Sequence, residues 1–167
     1  MKPIWTIGRE REKLHAAKFV RGADQQALLF PVIDAVHDLN EGEIDTDRFV
    51  TAARTAMIEG AFGVWANTNN WIRKIGNRHP NVLPLWDELS EHTSWKVRWR
   101  VACCLYSDIG DAQSDRIFSV LRNDKSKKVR EYAIDRYEKR PDDKGRVEKR
   151  FDARKFDERI RSSEVII

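Results

Sequence analysis

The chain has 167 residues, of which 41% are hydrophobic and 35% are charged, and its formal net charge is +4. This length is enough for one domain with a buried core, whereas no apolar run approaches the roughly 20 residues of a membrane-spanning helix. Because residues 1–12 also contain no apolar segment of signal-peptide length, we expect a cytoplasmic protein with no membrane insertion.

The charges are unevenly spread along the chain. Residues 1–22 hold six Lys and Arg against two Glu, residues 23–124 hold ten against fifteen Asp and Glu, and residues 125–161 hold fifteen against nine. Two basic ends therefore flank an acidic middle. Basic ends can meet nucleic acid, an acidic protein or an anionic lipid, but basic and acidic residues that interleave are also typical of helix faces that meet only water.

The first two predicted helices lie near the N-terminus. Residues 8–21 predict a short basic helix with Gly22 as its C-cap. Asp24 is a candidate cap for a second helix that reaches Leu39, because apolar residues recur at helical spacing between these two positions. Pro31 lies inside this pattern, so we expect a kink there or a later start of the helix.

An acidic turn and another pair of helices follow. Residues 40–45 form a turn that contains Gly42, but the spacing departs from that of a calcium-binding loop, with Phe49 where the loop needs a glutamate. Helices are predicted over residues 46–59 and 64–75, where apolar residues again share one helical face.

The chain is organised around a repeat between residues 84 and 140. When the sequence is shifted by 32 residues, apolar, serine and arginine positions fall on each other. A fixed period of this size indicates stacked supersecondary units. The matched pairs include Leu85/Ile117, Trp86/Phe118, Leu89/Leu121, Ser94/Ser126, Val97/Val129, Arg98/Arg130, Val101/Ala133, Ala102/Ile134 and Leu105/Tyr137.

Each unit of the repeat is predicted to contain two helices. A short helix carries the first apolar positions, and after a turn Ser94 or Ser126 is the candidate N-cap of a second helix. In the first unit Val97, Val101 and Leu105 form a stripe at helical spacing.

The motif Ser-x-x-Val-Arg-x-x-(Val/Ala), which begins at Ser94 and again at Ser126, resembles HEAT-like repeats. The resemblance covers roughly a third of the chain and implies an all-α fold, an α-α superhelix of antiparallel helix pairs (HEAT/ARM-like). With the other predicted helices, the chain would contain about eight or nine helices. Such stacks bury a continuous core between neighbours and leave long curved surfaces.

We expect residues 1–167 to form a single HEAT-like helical repeat domain, with the clearest repeats at 84–115 and 116–140. Residues 142–167 are dense in charge. This segment is either a terminal helix packed on the stack or a partly ordered tail. Its sizeable apolar residues before the last few positions are Val147, Phe151, Phe156 and Ile160.

Basic and aromatic residues cluster at the starts of the second helices, and we predict a binding surface there. Helix N-termini add backbone donors for anions, which favours a phosphate-binding ladder that includes Arg98 and Arg130. Alternatively, each arginine covers its own turn and pairs with an acid in the turn or in the neighbouring unit. The acids available for such pairs are Asp87, Asp108, Asp111 and Asp124. The predicted surface consists of Lys96, Arg98, Arg100, Lys125, Lys127, Lys128, Arg130, Trp95 and Trp99.

Three aromatic residues, Trp95, Trp99 and Tyr106, are predicted to form a ridge on one helix, nearly opposite Val97. Such a ridge can stack bases or anchor a peptide. The matching positions of the next unit are Lys127, Glu131 and Glu138. A charged outer face is typical of a capping repeat, so the ridge either packs on the next repeat or binds a ligand.

No pattern of catalytic or metal-binding residues stands out. The four histidines have no ligand spacing with one another or with the cysteines, and the sequence contains no phosphate-binding glycine loop and no nucleophile elbow. Because Cys103 and Cys104 are adjacent, they cannot link distant parts of the chain, and we expect two reduced thiols in a buried helix. We therefore expect neither a cofactor nor enzymatic activity.

One enzyme family offers an analogy. HEAT-like alkylpurine DNA glycosylases remove alkylated bases with Trp, Asp and Arg side chains on a concave basic surface. The region that resembles these repeats contains Trp95, Trp99, Arg98 and Asp87. The chain is short for that family, however, and the site motif does not match residue by residue.

The sequence thus supports two hypotheses about function. The first is a non-enzymatic protein-binding module, a small HEAT-like scaffold that acts as an adaptor or as a bacterial immunity- or antitoxin-type inhibitor. This hypothesis follows from the architecture alone, which offers surface without chemistry. The alternative is a nucleic-acid-binding protein, similar to the HEAT-like glycosylases, that uses a basic concave surface.

Overall fold

The regular structure of the chain is helical in a computed structural model, which describes residues 7–43, 45–140 and 152–164. These residues contain no strand, which confirms the prediction of an all-α protein. A 3-10 turn at Pro80–Val82 precedes the fifth helix. The α-helices are α1 (Arg9–Ala17), α2 (Ala23–Asn40), α3 (Asp47–Glu59), α4 (Phe62–Gly76), α5 (Pro84–Ser90), α6 (Trp95–Cys104), α7 (Asp111–Leu121), α8 (Lys127–Glu138) and α9 (Ala153–Glu164).

The chain divides into two units, Met1–Leu85 and Trp86–Ile167, and the boundary falls inside α5. In the first unit α2 packs against α3 and α4, α3 packs against α4, and α1 contacts α2. In the second unit α8 packs against both α6 and α7. The single domain over residues 1–167 stays a prediction.

The core of the first unit is built from one face of each of three helices. Apolar side chains at helical spacing on α2, α3 and α4 become buried because they are brought against each other. The largest fully buried side chains of this unit are Leu29, Ile33, Phe49, Met57, Ile72 and Ile75. Most residues of the three predicted apolar faces are therefore buried, although Leu28, Leu39 and Val50, which were predicted to lie on them, are only half-buried.

The first two helices differ from their predicted bounds. The prediction of Gly22 as a C-cap is wrong, since α1 already ends at Ala17 and Gly22 instead precedes α2. Gly22 has a φ of 93°, a backbone conformation that favours glycine over residues with a Cβ atom. The later helix start that Pro31 suggested is also wrong, because α2 runs from Ala23 through this exposed proline to Asn40.

Thr46 precedes α3 as predicted but does not cap it with its side chain. Its hydroxyl oxygen instead accepts a hydrogen bond from the Asn81 amide at 2.6 Å. The Asp45 carboxylate takes over part of the capping, because it accepts the backbone N–H of Asp47 at 2.9 Å. The buried hydroxyl therefore links the start of α3 to the 3-10 turn within the first unit.

In the second unit, most apolar pairs matched by the period of 32 residues are buried in both repeats, although Ala102 has no exposed surface while its match Ile134 is half-buried. Trp86, Phe118, Leu89 and Leu121 have no exposed surface. The second helices follow the same rule, with buried pairs at Val97/Val129, Val101/Ala133 and Leu105/Tyr137. The sequence repeat therefore corresponds to a repeat in side-chain burial.

The end of α6 departs from the predicted helical stripe. The helix stops at Cys104, and Leu105 lies just beyond it, yet Leu105 has no exposed surface. Tyr106 follows with a φ of 60°, which is uncommon for a residue other than glycine. Tyr106 is therefore not on the same helix as Trp95 and Trp99, and the prediction of a three-residue ridge is wrong at this position.

The last part of the chain contains α9, and the Phe156 side chain on this helix is only 1% exposed. A terminal helix is therefore present over Ala153–Glu164. Val147, Phe151 and the Ile160 side chain lie outside the parts that the structure describes. In the described residues, no helix combines the length and the apolar character that crossing a membrane requires.

Candidate binding surface

Arg98 joins the turn before α6 to the turn before α8. Its Nε and Nη2 atoms donate to the two carboxylate oxygens of Asp124, at 2.5 and 2.9 Å. Its Nη1 atom donates to the backbone carbonyls of His92 and Thr93, at 2.6 and 2.8 Å. The guanidinium is therefore a structural clamp, as the pairing alternative predicted from the sequence.

Arg130 makes the equivalent contacts in the second repeat. Its Nη1 atom donates to the carbonyls of Asp124 and Lys125, which precede it by six and five residues, as His92 and Thr93 precede Arg98. The arginine of the motif thus closes its own turn in both units. All three guanidinium nitrogens of Arg98 donate hydrogen bonds within the protein, which disfavours the phosphate ladder at this residue, whereas Arg130 makes its contacts through Nη1.

Ser94 and Ser126 occupy the N-cap positions just before α6 and α8. In both units the side chain two residues earlier accepts a hydrogen bond from the backbone N–H of this serine. The backbone N–H of Ser94 donates to His92 Nδ1 at 3.1 Å, and that of Ser126 donates to Asp124 Oδ1 at 2.7 Å. Neither serine makes a side-chain capping bond, although both occupy the predicted N-cap position. A histidine and an aspartate therefore perform the same local role.

The Asp124 carboxylate accepts hydrogen bonds from both the Arg98 guanidinium and the Ser126 backbone N–H. The hydrogen bond from Arg98 lowers the pKa of the Asp124 carboxyl from its ordinary value, and the bond from Ser126 acts in the same direction. The carboxylate raises the pKa of the Arg98 guanidinium in turn. The ion pair is thus charged at neutral pH and connects the two repeats.

Two tryptophans on α6 have different surroundings. Trp95 is 38% exposed, and the Nζ atom of Lys128 lies 5.4 Å from its ring centroid, close enough for a cation–π contact. Trp99 is half-buried and meets the ring of Tyr132 edge-on, with centroids 5.4 Å apart. Trp99 therefore packs on the neighbouring helix, whereas Trp95 lies at the surface.

Tyr106, the third aromatic residue of the predicted ridge, is buried. Its hydroxyl donates to the Asp115 carboxylate at 2.7 Å, and its ring lies 5.7 Å from that of Tyr137. Burial, together with the negative charge of Asp115, raises the pKa of the Tyr106 hydroxyl well above its usual range. This side chain belongs to the core of the second unit and not to its surface.

The lysines of the predicted surface remain in contact with solvent. Lys96, Lys125, Lys127 and Lys128 are all exposed. Lys127 forms a surface ion pair of 3.6 Å with Glu131, an interaction that is weak in water. The structure therefore places Lys128 beside the exposed Trp95 and leaves the other three lysines exposed at or near the starts of α6 and α8.

The remaining basic residue of the predicted surface differs from the lysines. Arg100 is half-buried, and burial lowers the pKa of its guanidinium from its ordinary value. We therefore leave Arg100 out of the exposed set and define the lysine–tryptophan surface as Trp95, Lys96, Lys125, Lys127 and Lys128.

The adjacent cysteines are free thiols. Cys104 is buried and its thiol donates to the backbone carbonyl of Arg100 at 3.1 Å. Burial raises the pKa of the Cys103 thiol to about 11 and that of Cys104 well above its usual range. Since the thiolate is the reactive form, neither group is activated as a nucleophile.

The residues of the glycosylase analogy have internal partners. Arg98 pairs with Asp124, while the Asp87 carboxylate accepts a hydrogen bond of 2.7 Å from the Gln113 amide and has Arg116 at 3.8 Å. Among the described residues, no group of three or more His, Cys, Asp or Glu side chains is arranged to hold a metal ion. This includes the acidic turn that the sequence compared with a calcium loop, apart from Ile44, which lies outside the described residues.

Sequence reasoning missed a second cluster of aromatic and charged side chains in this unit. It lies between α7, α8 and α9 and contains Phe118, Tyr137 and Phe156. The isolated Phe156 in a charge-dense segment was its only signal. That signal could not reveal which residues meet Phe156, because the contacts join positions far apart in the chain.

Comparisons with known proteins assign the chain to no family. No protein-family model matches the chain, and no curated protein and no solved structure is significantly similar to it. The interpretation of function therefore depends on the contacts described above.

Proposed function

We propose that this chain is a protein-binding module, a small HEAT-like scaffold with an α-α superhelical arrangement of its helix pairs. It acts as an adaptor or as an inhibitor of the immunity or antitoxin type. The repeated turn geometry around Arg98 and Arg130 supports the repeat part of this proposal. The lysine–tryptophan surface supplies the binding face.

One observation carries the choice of a protein partner. The two arginines best suited to hold phosphates donate to turn carbonyls, and Arg98 also donates to Asp124, while Trp95 remains exposed beside Lys128. An aromatic anchor with a rim of charges is the typical composition of a protein-binding hot spot. The lysine rim favours a partner with an acidic surface and a pocket for the indole ring.

The first experiment is affinity capture from a nuclease-treated lysate of the native host. The Trp95→Ala and Lys128→Ala variants are compared with the parent. The matched control is Phe62→Ala, which removes an aromatic side chain that is 72% exposed in the other unit. We expect a protein captured by the parent and by the control to be lost with Trp95→Ala, and equal capture by all variants would contradict the proposed face.

Nucleic-acid binding is the alternative, and the four exposed lysines are the observation in its favour. Its test is fluorescence anisotropy with labelled single-stranded and double-stranded DNA at two salt concentrations. A protein that neutralises several phosphates loses affinity steeply with salt. Tight, salt-sensitive binding that weakens in a Lys125→Ala/Lys127→Ala variant would replace the protein-binding proposal with this alternative.

A further inference from the structure

Three large apolar side chains of the first unit are mostly exposed to solvent. Leu14 on α1 is 67% exposed, Phe19 just after α1 is 66% exposed, and Phe62 at the start of α4 is 72% exposed. Single exposed apolar residues are common on protein surfaces, but several of them that lie together mark a site of interaction. Their arrangement therefore decides whether they have a function.

The three side chains belong to one part of the surface. The backbone of Phe19 lies against α4, because a Cβ atom added to Gly63 would be 3.2 Å from the Phe19 carbonyl oxygen. Phe62 directly precedes this glycine. On α1, the ring of His15 meets the Phe19 ring edge-on with centroids 5.2 Å apart, and Leu14 is the residue before this exposed histidine. The apolar side chains therefore form a patch where the chain that leaves α1 passes the start of α4.

Exposed cations flank this patch. Arg11, and Lys18 at the C-cap of α1, are three residues before and four residues after Leu14, so they share its side of the helix. Arg21 lies in the loop between α1 and α2. In the described parts of the chain, none of these three cations forms an ion pair with an acidic side chain. Asp24, the nearest acid to Arg21 in the sequence, accepts a hydrogen bond from the next side chain instead.

The two acidic residues of α1 do not reverse the sign of this charge. Glu12 is two residues from Leu14 and therefore lies on another side of the helix, where its carboxylate accepts the backbone N–H of Ile7 at 3.3 Å. The Glu10 carboxylate has Lys13 Nζ at 3.9 Å. The charge balance on the side of α1 that carries Leu14 is therefore positive.

We propose that this surface binds the anionic face of a lipid bilayer. The surface, called here the aromatic–basic face, consists of Arg11, Leu14, Lys18, Phe19, Arg21 and Phe62. Its apolar side chains enter the boundary between headgroups and acyl chains, while the ammonium and guanidinium groups stay among the headgroup phosphates. The protein lies on the bilayer without a spanning helix. This inference goes beyond the lysine–tryptophan surface, because it concerns residues of the other unit and a different class of ligand.

Charge and exposure together favour a lipid surface as the occupant. The cations require an anionic occupant, and the apolar side chains stand out into solvent, so the occupant must take them in. A bilayer accepts such side chains in any arrangement, whereas a folded protein needs matched pockets. A nucleic acid could stack bases on Phe19 and Phe62 but has no apolar region for Leu14.

The test is co-sedimentation of the full-length protein with vesicles, either of phosphatidylcholine alone or of phosphatidylcholine with about one third phosphatidylserine. We expect binding to the anionic vesicles that is at least about tenfold tighter than binding to the neutral ones. This difference should shrink at about 1 M salt, because screening then acts over about 3 Å. Absence of binding to the anionic vesicles, or equal binding to both kinds, overturns the proposal.

Removal of the rings tests the apolar part of the face. Phe19→Ala/Phe62→Ala should weaken binding to the anionic vesicles at least about tenfold, since two apolar side chains no longer leave water. The matched control is Trp95→Ala, which removes an exposed ring from the other unit and should change vesicle affinity less than about twofold. Because all three side chains are partly or mostly exposed, we expect circular dichroism spectra like that of the parent. Equal affinities of the double variant and the control overturn the proposal.

Charge reversal tests whether the cations act locally. Lys18→Glu/Arg21→Glu should weaken binding to the anionic vesicles at least about tenfold. Lys125→Glu/Lys127→Glu changes the net charge by the same amount in the other unit and should weaken binding less than about threefold. Equal losses mean that binding follows net charge alone, which overturns the proposal.

Two soluble polyanions separate the lipid from the other anionic occupants. Fluorescently labelled single-stranded DNA and polyglutamate are titrated with the parent and with Phe19→Ala/Phe62→Ala. We expect the double substitution to change neither affinity by more than about twofold, because neither polymer takes up apolar side chains as a bilayer does. If it weakens DNA or polyglutamate binding as much as vesicle binding, the face recognises nucleic acid or an acidic protein, and the lipid proposal is overturned.

Discussion

At the scale of single residues, the arginine of the repeated motif has a structural role in both units. Arg98 and Arg130 close the turns before their helices through the same carbonyl positions, but only Arg98 also holds the Asp124 carboxylate. The first arginine therefore connects two repeats, whereas the second stabilises only its own turn. This difference can be measured.

We expect Arg98→Ala to lower the free energy of unfolding by about 2–3 kcal/mol, because it removes charge-assisted hydrogen bonds and leaves a largely buried carboxylate without its partner. Arg130→Ala is the matched control and should cost about 1 kcal/mol, because it removes hydrogen bonds to two turn carbonyls and breaks no ion pair with a buried carboxylate. Denaturant unfolding of both variants gives the comparison. Equal losses would show that the Asp124 pair adds no stability.

The same pair predicts a dependence on pH. Since the folded-state pKa of Asp124 lies below its unfolded value of about 3.9, this carboxylate contributes stability above about pH 4 and loses it as the pH falls through the folded pKa. The difference in unfolding free energy between the parent and Asp124→Asn should therefore shrink below about pH 4. A difference that stays constant from pH 7 to pH 3 would contradict the proposed coupling.

At the scale of secondary-structure elements, the space around a residue at the end of a helix decides whether a larger residue can replace it. Gly60 ends α3 immediately before α4, where an added Cβ atom would lie 2.4 Å from the Ala56 carbonyl oxygen and 2.5 Å from a methyl group of Val64. Gly110, which precedes α7, has open space around it and a φ of −61°. The two glycines therefore differ in what surrounds them, although both occupy ends of helices.

Gly60→Ala should cost about 1–3 kcal/mol, because the new methyl group must push backbone or a buried side chain aside. Gly110→Ala is the control and should stay within about 1 kcal/mol of the parent, since its backbone conformation suits alanine. Thermal and denaturant unfolding report both values. Tolerance of Gly60→Ala would mean that α3 and α4 separate more easily than their packing indicates.

The contact between α6 and α8 provides a second comparison at this scale. Trp99→Ala removes a half-buried ring and its edge-on contact with Tyr132, so we expect a loss of about 1–3 kcal/mol. Glu131→Ala, at the matching position of the next unit, should change stability by less than about 0.5 kcal/mol, because its side chain is exposed. A stable Trp99→Ala protein would make this ring a candidate for ligand contact instead of packing.

At the scale of the whole molecule, the defining property is helix content. The described residues contain nine α-helices and no strand, and each of the two units has its own set of buried side chains. Leu105 shows how much one buried side chain matters, since it contributes to the second core although it lies outside a helix.

Far-UV circular dichroism of the purified protein should therefore show a dominantly helical spectrum, and this spectrum should persist in the Leu105→Ala variant below its own unfolding transition. The substitution leaves a cavity, so we expect it to lower the free energy of unfolding by about 2–5 kcal/mol. The parent and the variant are compared by denaturant unfolding. A substantial strand signal in either protein, or a loss below about 1 kcal/mol, would contradict the described core.

The sequence by itself determined the helices and the repeat. Periodic apolar positions and turn residues are local signals, so they predicted α3, α4 and the serine starts of α6 and α8 within a few residues. The period of 32 residues also predicted most of the buried apolar pairs of the repeat, such as Val97 and Val129. The sequence also offered, as one of two alternatives for the motif arginines, pairing with an acid in a turn, because this too is a local signal.

Only the tertiary structure decided which residues meet across the chain. It selected Asp124 among four acids as the partner of Arg98, turned Tyr106 into the core, and placed Phe156 edge-on against both Phe118 and Tyr137. These outcomes depend on the distances between helices and on where a helix ends. Since neither quantity is encoded in the spacing of neighbouring residues, a periodic pattern can predict a buried face but not the side chain that covers it.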